Sequence, residues 1–169
     1  MAQKHDIELL RSTLKDRIMC FLDIPKYQLD KSTSFFSIKS FKKKAILIPP
    51  DSKIHQFYFI NNGFVLILNI AEEKEIISDF IEPNSFFING YMLFIGLPNL
   101  NYNTVLKTTQ CLVADYNVIE NLSAKNHPIK HLSRKMTKSY YTSYLITNYN
   151  KLFLLADERF DIFTNNIAA

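Results

Sequence analysis

The clearest structural signal in this 169-residue chain is the run Phe57-Tyr58-Phe59-Ile60-Asn61-Asn62-Gly63-Phe64-Val65. An Asn-Gly pair lies between two segments rich in aromatic and β-branched residues. Both residues of the pair tolerate positive φ angles, which the tightest hairpin turns require. The run therefore predicts two antiparallel strands that are joined at Asn62 and Gly63.

Further short β-rich segments lie on both sides of this hairpin, between residues 35 and 117. They cover residues 45–48, 75–81, 104–109 and 111–116, and turn residues separate them. Several short strands at this spacing are typical of an antiparallel roll, jelly roll or barrel. Between residues 83 and 103 the strand pattern is interrupted, and a short helix is predicted near residues 91–95.

Helical periodicity flanks the predicted strands. Apolar residues three and four apart predict an amphipathic helix over residues 6–21, and Pro25 ends that pattern. A short helix is expected at residues 118–124 and a long one from residue 129 to about 163, with Pro128 at its first position. A helix of that length cannot pack on a small roll along its whole length, so we predict self-association through residues 129–160.

The composition is that of a globular protein, with 47% hydrophobic and 21% charged residues. Cys20 and Cys111 are the only cysteines, which indicates two thiols in a reducing compartment rather than a disulfide framework. No apolar segment approaches the ~20 residues that span a bilayer, and the N-terminus lacks the pattern of a signal peptide. We therefore expect a cytoplasmic protein without membrane contact.

The sequence lacks the motifs of common catalytic sites, namely a nucleophile elbow, a P-loop and a dinucleotide-binding glycine motif. His127 and His131 are four apart, but Pro128 lies between them at the expected helix start, and no third ligand is near in sequence. His55 is the only histidine between residues 35 and 117, which argues against a metal-binding cupin barrel. We therefore expect no catalytic residue, no metal and no cofactor, and we keep a cupin-type enzyme as the less favoured alternative.

The net charge of +4 is unevenly distributed along the chain. Residues 125–156 contain no acidic residue and six basic ones, which are Lys125, Lys130, Arg134, Lys135, Lys138 and Lys151. Such a segment is typical of a solvated basic face, and we favour that interpretation. The alternative is a surface for an anionic ligand, an anionic partner or nucleic acid.

The order of these segments resembles the cyclic-nucleotide-binding domain of the Crp/Fnr family of transcription regulators. The similarity rests on Phe41-Lys42-Lys43-Lys44-Ala45-Ile46-Leu47, on the hairpin quoted above, on Glu75 to Phe80, on Pro83-Asn84-Ser85-Phe86-Phe87, on Lys107-Thr108-Thr109-Gln110-Cys111-Leu112-Val113-Ala114 and on Leu132-Ser133-Arg134-Lys135-Met136. It covers roughly residues 10–160. The resemblance implies a mainly β fold with flanking helices, in which a double-stranded, jelly-roll-like β-roll of the cyclic-nucleotide-binding type precedes a long C-terminal dimerisation helix.

The resemblance also implies where a ligand would bind. Carried over by position, the pocket would be lined by Phe87, Asn89, Gly90, Tyr91, Asn101 and Tyr102 of the roll and by Ser143 and Tyr144 of the long helix. In nucleotide-binding members, a glutamate binds the ribose hydroxyl and an arginine pairs with the cyclic phosphate. In this chain Tyr91 takes the place of the glutamate, and the place of the arginine falls near Asn101.

These two replacements change the expected ligand. An amide cannot replace the bidentate, charge-assisted contact of an arginine with a phosphate. We therefore do not expect ordinary binding of cyclic AMP. The neutral, aromatic and amide-rich lining favours an uncharged or weakly charged small molecule, and the alternative is a pocket filled by the protein's own Phe and Tyr side chains.

The winged helix-turn-helix that reads DNA in this family would follow the long helix. Only residues 161–169 remain there, which is too few for two helices, a turn and a wing. We therefore expect DNA as a partner only if a further domain exists beyond residue 169.

These observations combine into one predicted organisation and function. Residues 1–124 are assigned to the N-terminal helix and the β-roll, and residues 125–169 to the dimerisation helix and hinge. The predicted function is that of the regulatory sensor domain of a Crp/Fnr-like transcription regulator, acting as a homodimer under control of a small-molecule effector. A stand-alone module that binds a small molecule or a cyclic nucleotide is the alternative.

Overall fold

The computed structural model describes residues 2–71, 74–88, 90–155, 157–158 and 161. The helices are α1 (Ala2–Met19), α2 (Lys26–Thr33), α3 (Gly90–Ile95), α4 (Tyr116–Lys125) and α5 (His127–Phe153). The strands are β1 (Ser37–Phe41), β2 (Ile46–Ile48), β3 (Gln56–Asn62), β4 (Val65–Ala71), β5 (Lys74–Ile81), β6 (Ser85–Phe87), β7 (Tyr102–Val105) and β8 (Thr109–Asp115).

The strands form two four-stranded antiparallel sheets. The first sheet has the order β1-β8-β3-β6, and the second has the order β2-β7-β4-β5. Neighbours such as β1 and β8 lie far apart in sequence, as expected when the chain winds back and forth between two sheets of a roll. The mainly β roll with flanking helices that the sequence predicts is therefore confirmed.

Strand β3 shows why this sequence folds as it does, because both of its faces are buried. Tyr58 and Ile60 point into the space between the two sheets, whereas Phe57 and Phe59 point to the opposite side. Side chains alternate between the faces of a strand, so an uninterrupted apolar run fits a strand that is covered on both sides. Phe59 and Ile60 are fully buried.

Two hydrophobic cores result from this alternation. The inner core lies between the sheets and contains Leu47, Ile48, Tyr58, Ile60, Val65, Phe87, Val105, Cys111 and Val113. The outer core lies between the first sheet and the helices and contains Leu14, Ile18, Ile24, Leu29, Phe36, Phe59, Leu112, Ala114 and Leu132. The fold therefore has three layers, in which α1, α2 and the beginning of α5 cover the first sheet.

Most predicted strands and helices are present, but β1 and β6 were not among the predicted segments, and β6 lies where the strand pattern was expected to be interrupted. Strands β3 and β4 are present, but the prediction that they pair as a hairpin is wrong. Strand β3 pairs with β6 and β8 in the first sheet, and β4 pairs with β5 and β7 in the second. The turn at Gly63, where φ is 88°, therefore carries the chain from one sheet to the other.

Helix α2 was not predicted. The long helix ends at Phe153, so the prediction that it continues to about residue 163 is wrong: Leu154 is extended, and the Leu155 N–H donates to Glu158 Oε2 at 2.8 Å. A backbone N–H bound by an acidic side chain three residues later is typical of a new helix start.

Among the described residues, Lys44 is one of three non-glycine residues with positive φ, at 69°. A left-handed conformation costs an L-residue with a Cβ roughly 1–2 kcal/mol, although glycine loses somewhat more entropy on folding. We therefore expect Lys44→Gly to raise the free energy of unfolding by about 1 kcal/mol, measured by urea denaturation. Lys43→Gly removes the same charge where φ is not positive and serves as the control. Equal stability of the two variants would contradict the prediction.

Candidate functional site

The ligand-facing residues predicted from the sequence lie in three places. Phe87 is in β6, where it is buried in the inner core with its ring centroid 6.3 Å from that of Tyr58. Asn101 and Tyr102 lie at the start of β7, and Tyr102 is paired with Leu68 of β4. Ser143 and Tyr144 are exposed on α5.

The glycine at the head of the predicted pocket is the first residue of α3. Gly90 is buried, and its N–H donates to Ile88 O at 2.8 Å. Asn89 lies outside the described residues, and of Tyr91 only the backbone, within α3, is described. The tyrosine that takes the place of the glutamate therefore stays a prediction from sequence.

A network of asparagine side-chain amides surrounds Asn101, near which the resemblance places the family's arginine. Asn99 and Asn103 are fully buried. Asn99 Nδ2 donates to Pro49 O at 2.9 Å and to Asn101 O at 2.6 Å, and the Asn101 amide donates to the side chain of Asn69 on β4. These contacts fix the loop before β7 against the end of β2.

Sequence reasoning singled out Asn101 but missed Asn99 and Asn103. The alternation of asparagines at 99, 101 and 103 was the available signal, because amide side chains at every second position invite contacts with loop backbone. Asn103 Oδ1 is buried without a hydrogen-bond partner. The network is built mainly from carbonyl acceptors and amide donors, so it offers no cation to a phosphate.

Helix α5 is packed at its beginning and exposed further along. Ile129 and Leu132 are buried, and Lys151 Nζ donates to Ser78 O of β5 at 2.8 Å. Beyond Leu132, one side of the helix carries a stripe of large apolar residues. We call it the α5 stripe, and it consists of Tyr141, Leu145, Tyr149, Leu152 and Phe153, which are 48–78% exposed. Tyr140, Tyr144 and Ile146 are exposed on other sides of the helix.

The thiol of Cys111 is buried in the inner core. Burial raises the pKa of the Cys111 thiol to about 12, so it stays protonated and unreactive at neutral pH. Within the described residues that were searched, no group of three or more His, Cys, Asp or Glu side chains is placed to hold a metal ion.

A cleft of about 440 Å³ lies between α1 and α2, and ion pairs join Arg11 to Glu8 and Lys15 to Asp30 in it. Lys15 Nζ is 2.6 Å from Asp30 Oδ1, and this hydrogen bond lowers the pKa of Asp30. Arg11 Nη2 donates to the carbonyl oxygens of Ser34 and Phe36 at 3.0 and 2.9 Å. These contacts join the two helices, so we assign this cleft a structural role.

Comparison with known proteins identifies the fold. No protein-family model and no curated protein sequence matches the chain. A cyclic nucleotide-binding domain from Methylobacillus flagellatus superposes with a TM-score of 0.73 at 10% identity, over 83% of this chain and 81% of that one. A CooA mutant from Carboxydothermus hydrogenoformans gives 0.60 at 17% identity, over 87% and 93%. The catabolite activator protein of Thermus thermophilus gives 0.56 at 13% identity, over 75% and 62%.

The chain therefore has the fold of cyclic-nucleotide-binding domains. More particularly, its roll and long helix share the architecture found in regulators such as CooA and the catabolite activator protein. No helix in the described part of the chain is long and apolar enough to cross a membrane.

Proposed function

We propose that this chain is a regulatory sensor module of the Crp/Fnr type, which works as a homodimer and does not respond to cyclic AMP. The observation that carries the proposal is the α5 stripe, which follows a cyclic-nucleotide-binding roll and is uncovered in a single chain. An exposed apolar patch of this kind marks an interaction surface. Its location on the long helix favours a second copy of the same helix as the partner.

The loss of cyclic AMP binding follows from electrostatics at the predicted pocket. The sequence has no basic residue between Lys74 and Lys107, and amides occupy the loop around Asn101. A cyclic phosphate placed there would lose its water without gaining a charged partner, which is costly in a partly buried site. An effector of this pocket is therefore a neutral or weakly charged molecule.

Cyclic AMP and cyclic GMP are expected to leave the thermal stability of the protein unchanged. A ligand that binds only the native state adds about 2.7 kcal/mol at 100 times its Kd, which is several degrees for a domain of this size. We expect a shift below about 1 °C at millimolar nucleotide in a thermal-shift assay, with calorimetry as the second readout. AMP is the matched control, because it carries the same base on an open phosphate.

One result of the thermal-shift assay and calorimetry would contradict this expectation. Saturable micromolar binding of either cyclic nucleotide, without comparable binding of AMP, would show that Asn101 and Tyr91 do not disable the pocket. The sensor would then be an ordinary cyclic-nucleotide receptor. A shift from another metabolite in the same assay would instead identify the effector.

A further inference from the structure

A second cleft lies at the end of the roll where β2 ends and β3 begins, and it has a volume of about 330 Å³. It is lined by Lys39, Leu47, Ile48, Pro49, Ser52, Lys53, Ile54, His55, Gln56 and Tyr58. Leu47, Ile48 and Ile54 are buried and give the cleft an apolar floor. Small-molecule sites are typically concave and apolar, with a few polar groups, and this volume falls at the lower end of their range.

The charge of this cleft is of one sign. Lys39, Lys53 and His55 line it, and no aspartate or glutamate does. The carboxylate of Asp115, which lies opposite Gln56 in the sheet, accepts a hydrogen bond from Asn117 N at 2.8 Å. In the cleft between α1 and α2, by contrast, carboxylates pair with two of the three cations. A concave surface that is lined by two lysines and by no carboxylate of the described residues attracts anions.

Hydrogen bonds hold the polar groups of the cleft in place. Gln56 Oε1 accepts from Tyr58 Oη at 2.8 Å and from Lys39 Nζ at 3.1 Å. The oxygen of the amide is thereby occupied, and its NH₂ group can serve as a donor to a ligand beside the ammonium of Lys39. Burial raises the pKa of Tyr58 to about 12, so its phenol adds no negative charge at neutral pH.

The wall of the cleft is fixed by the asparagine network. Asn99 Nδ2 donates to Ile48 O at 3.2 Å and to Pro49 O at 2.9 Å, and Asn99 N donates to Ser52 O at 2.9 Å. The loop between β2 and β3 is therefore held by a fully buried side chain. A site that is ordered before the ligand arrives avoids part of the entropic cost of binding.

We propose that this cleft binds a small organic anion, with a carboxylate or phosphate group at Lys39, Lys53 and Gln56 and an apolar body on the floor. The site is distinct from the pocket predicted beside β6 and α3, because the two share no residue. It accommodates the kind of anionic ligand that the amide-rich region around Asn101 excludes. The proposal does not depend on whether the chain is a Crp/Fnr-type regulator.

Phenyl phosphate tests the proposal, because it joins a phosphate to an apolar ring. In a ¹H–¹⁵N NMR titration of the full chain, we expect saturable shifts at residue 39 and at residues 52–58. The double variant Lys39→Gln, Lys53→Gln is expected to bind at least about tenfold more weakly, since charged hydrogen bonds are lost. The matched control Lys42→Gln, Lys43→Gln loses the same charge from exposed residues outside the cleft and is expected to bind as the wild type does.

Three results would overturn the proposal. If phenyl phosphate causes no saturable chemical-shift changes at the cleft residues, the proposed site does not exist. If both double variants bind phenyl phosphate equally weakly, the anion is attracted by the net charge of the protein and not by the cleft. Equally tight binding of benzyl alcohol shows that the cleft does not select an anion. The melting temperature of each variant is measured first, and it is expected to match that of the wild type because all four lysines are exposed.

Discussion

Replacing Gly63 by alanine is expected to lower the free energy of unfolding by about 3 kcal/mol or more. Gly63 has a φ of 88°, and a Cβ atom there would lie 2.0 Å from Thr109 Oγ1 and 2.9 Å from Thr109 Cα. The second contact is with backbone, so no rotation of the threonine side chain relieves it. Thr109 is fully buried, and its hydroxyl donates to Lys107 O at 2.8 Å, which further restricts its movement.

Gly96→Ala is the matched control, because it isolates the cost of the backbone conformation. Gly96 also has a positive φ, 70°, but a Cβ atom there would have no neighbour within 4 Å. We expect a loss of about 1 kcal/mol for this variant. Urea denaturation followed by circular dichroism measures both. If the two variants lose the same stability, close approach to Thr109 is not what requires glycine at 63.

Strands β3 and β4 and the turn between them could be predicted from sequence because their signals are local: an Asn-Gly pair between two apolar runs. The pairing of these strands could not be predicted, because β3 pairs with β6 and β8 and β4 pairs with β5 and β7, in two different sheets. Helix α2 was missed because its signal is not local: its sequence has no apolar stripe, and Leu29 is its one buried large apolar residue. Packing of Leu29 in the outer core and the ion pair of Lys15 with Asp30 stabilise this helix through α1.

The candidate sites were predicted less well than the fold, for a related reason. The sequence placed Asn101 near the position of the family's arginine. It gave no indication that Asn99 would bind Ile48 and Pro49, which lie about fifty residues earlier. The cleft between β2 and β3 was missed because Lys39 and Lys53 are separated in sequence and line the same cleft only in the folded sheet, where Lys39 of β1 reaches Gln56 of β3. Side-chain contacts between distant segments leave no periodic pattern.

The distribution of charge along α5 restricts how two copies can meet. Of the twenty basic and sixteen acidic residues of the chain, six basic and no acidic residues lie in residues 125–156, so the remainder carries a net charge of −2. Lys130, Arg134 and Lys138 follow at intervals of four and continue the line of the α5 stripe towards the helix start. In a symmetric parallel pair, equivalent residues approach each other, so these cations repel. We therefore expect the contact to centre on residues 141–153.

Two aspartates in the α5 stripe are expected to abolish the proposed dimer. Leu145 and Leu152 are seven residues apart, which places them on the same side of the helix, and they are 48% and 78% exposed in the single chain. Burying each leucine at an interface contributes about 1.5–3 kcal/mol, and an aspartate in its place adds the cost of desolvating a charge. The double variant Leu145→Asp, Leu152→Asp should therefore weaken association by a factor of about 1,000 or more, measured by sedimentation equilibrium.

The control for this prediction places the same two charges on the other side of α5. Ser143 and Thr147 are exposed and four residues apart, roughly opposite the stripe, so Ser143→Asp, Thr147→Asp should leave the dimer intact. Both double variants should keep the fold, because the outer core takes its α5 contacts from Leu132 and Met136. A wild-type protein that stays monomeric at high micromolar concentration would remove the homodimer from the proposed function. Dissociation in the stripe variant alone would assign the self-association of this sensor to one face of α5.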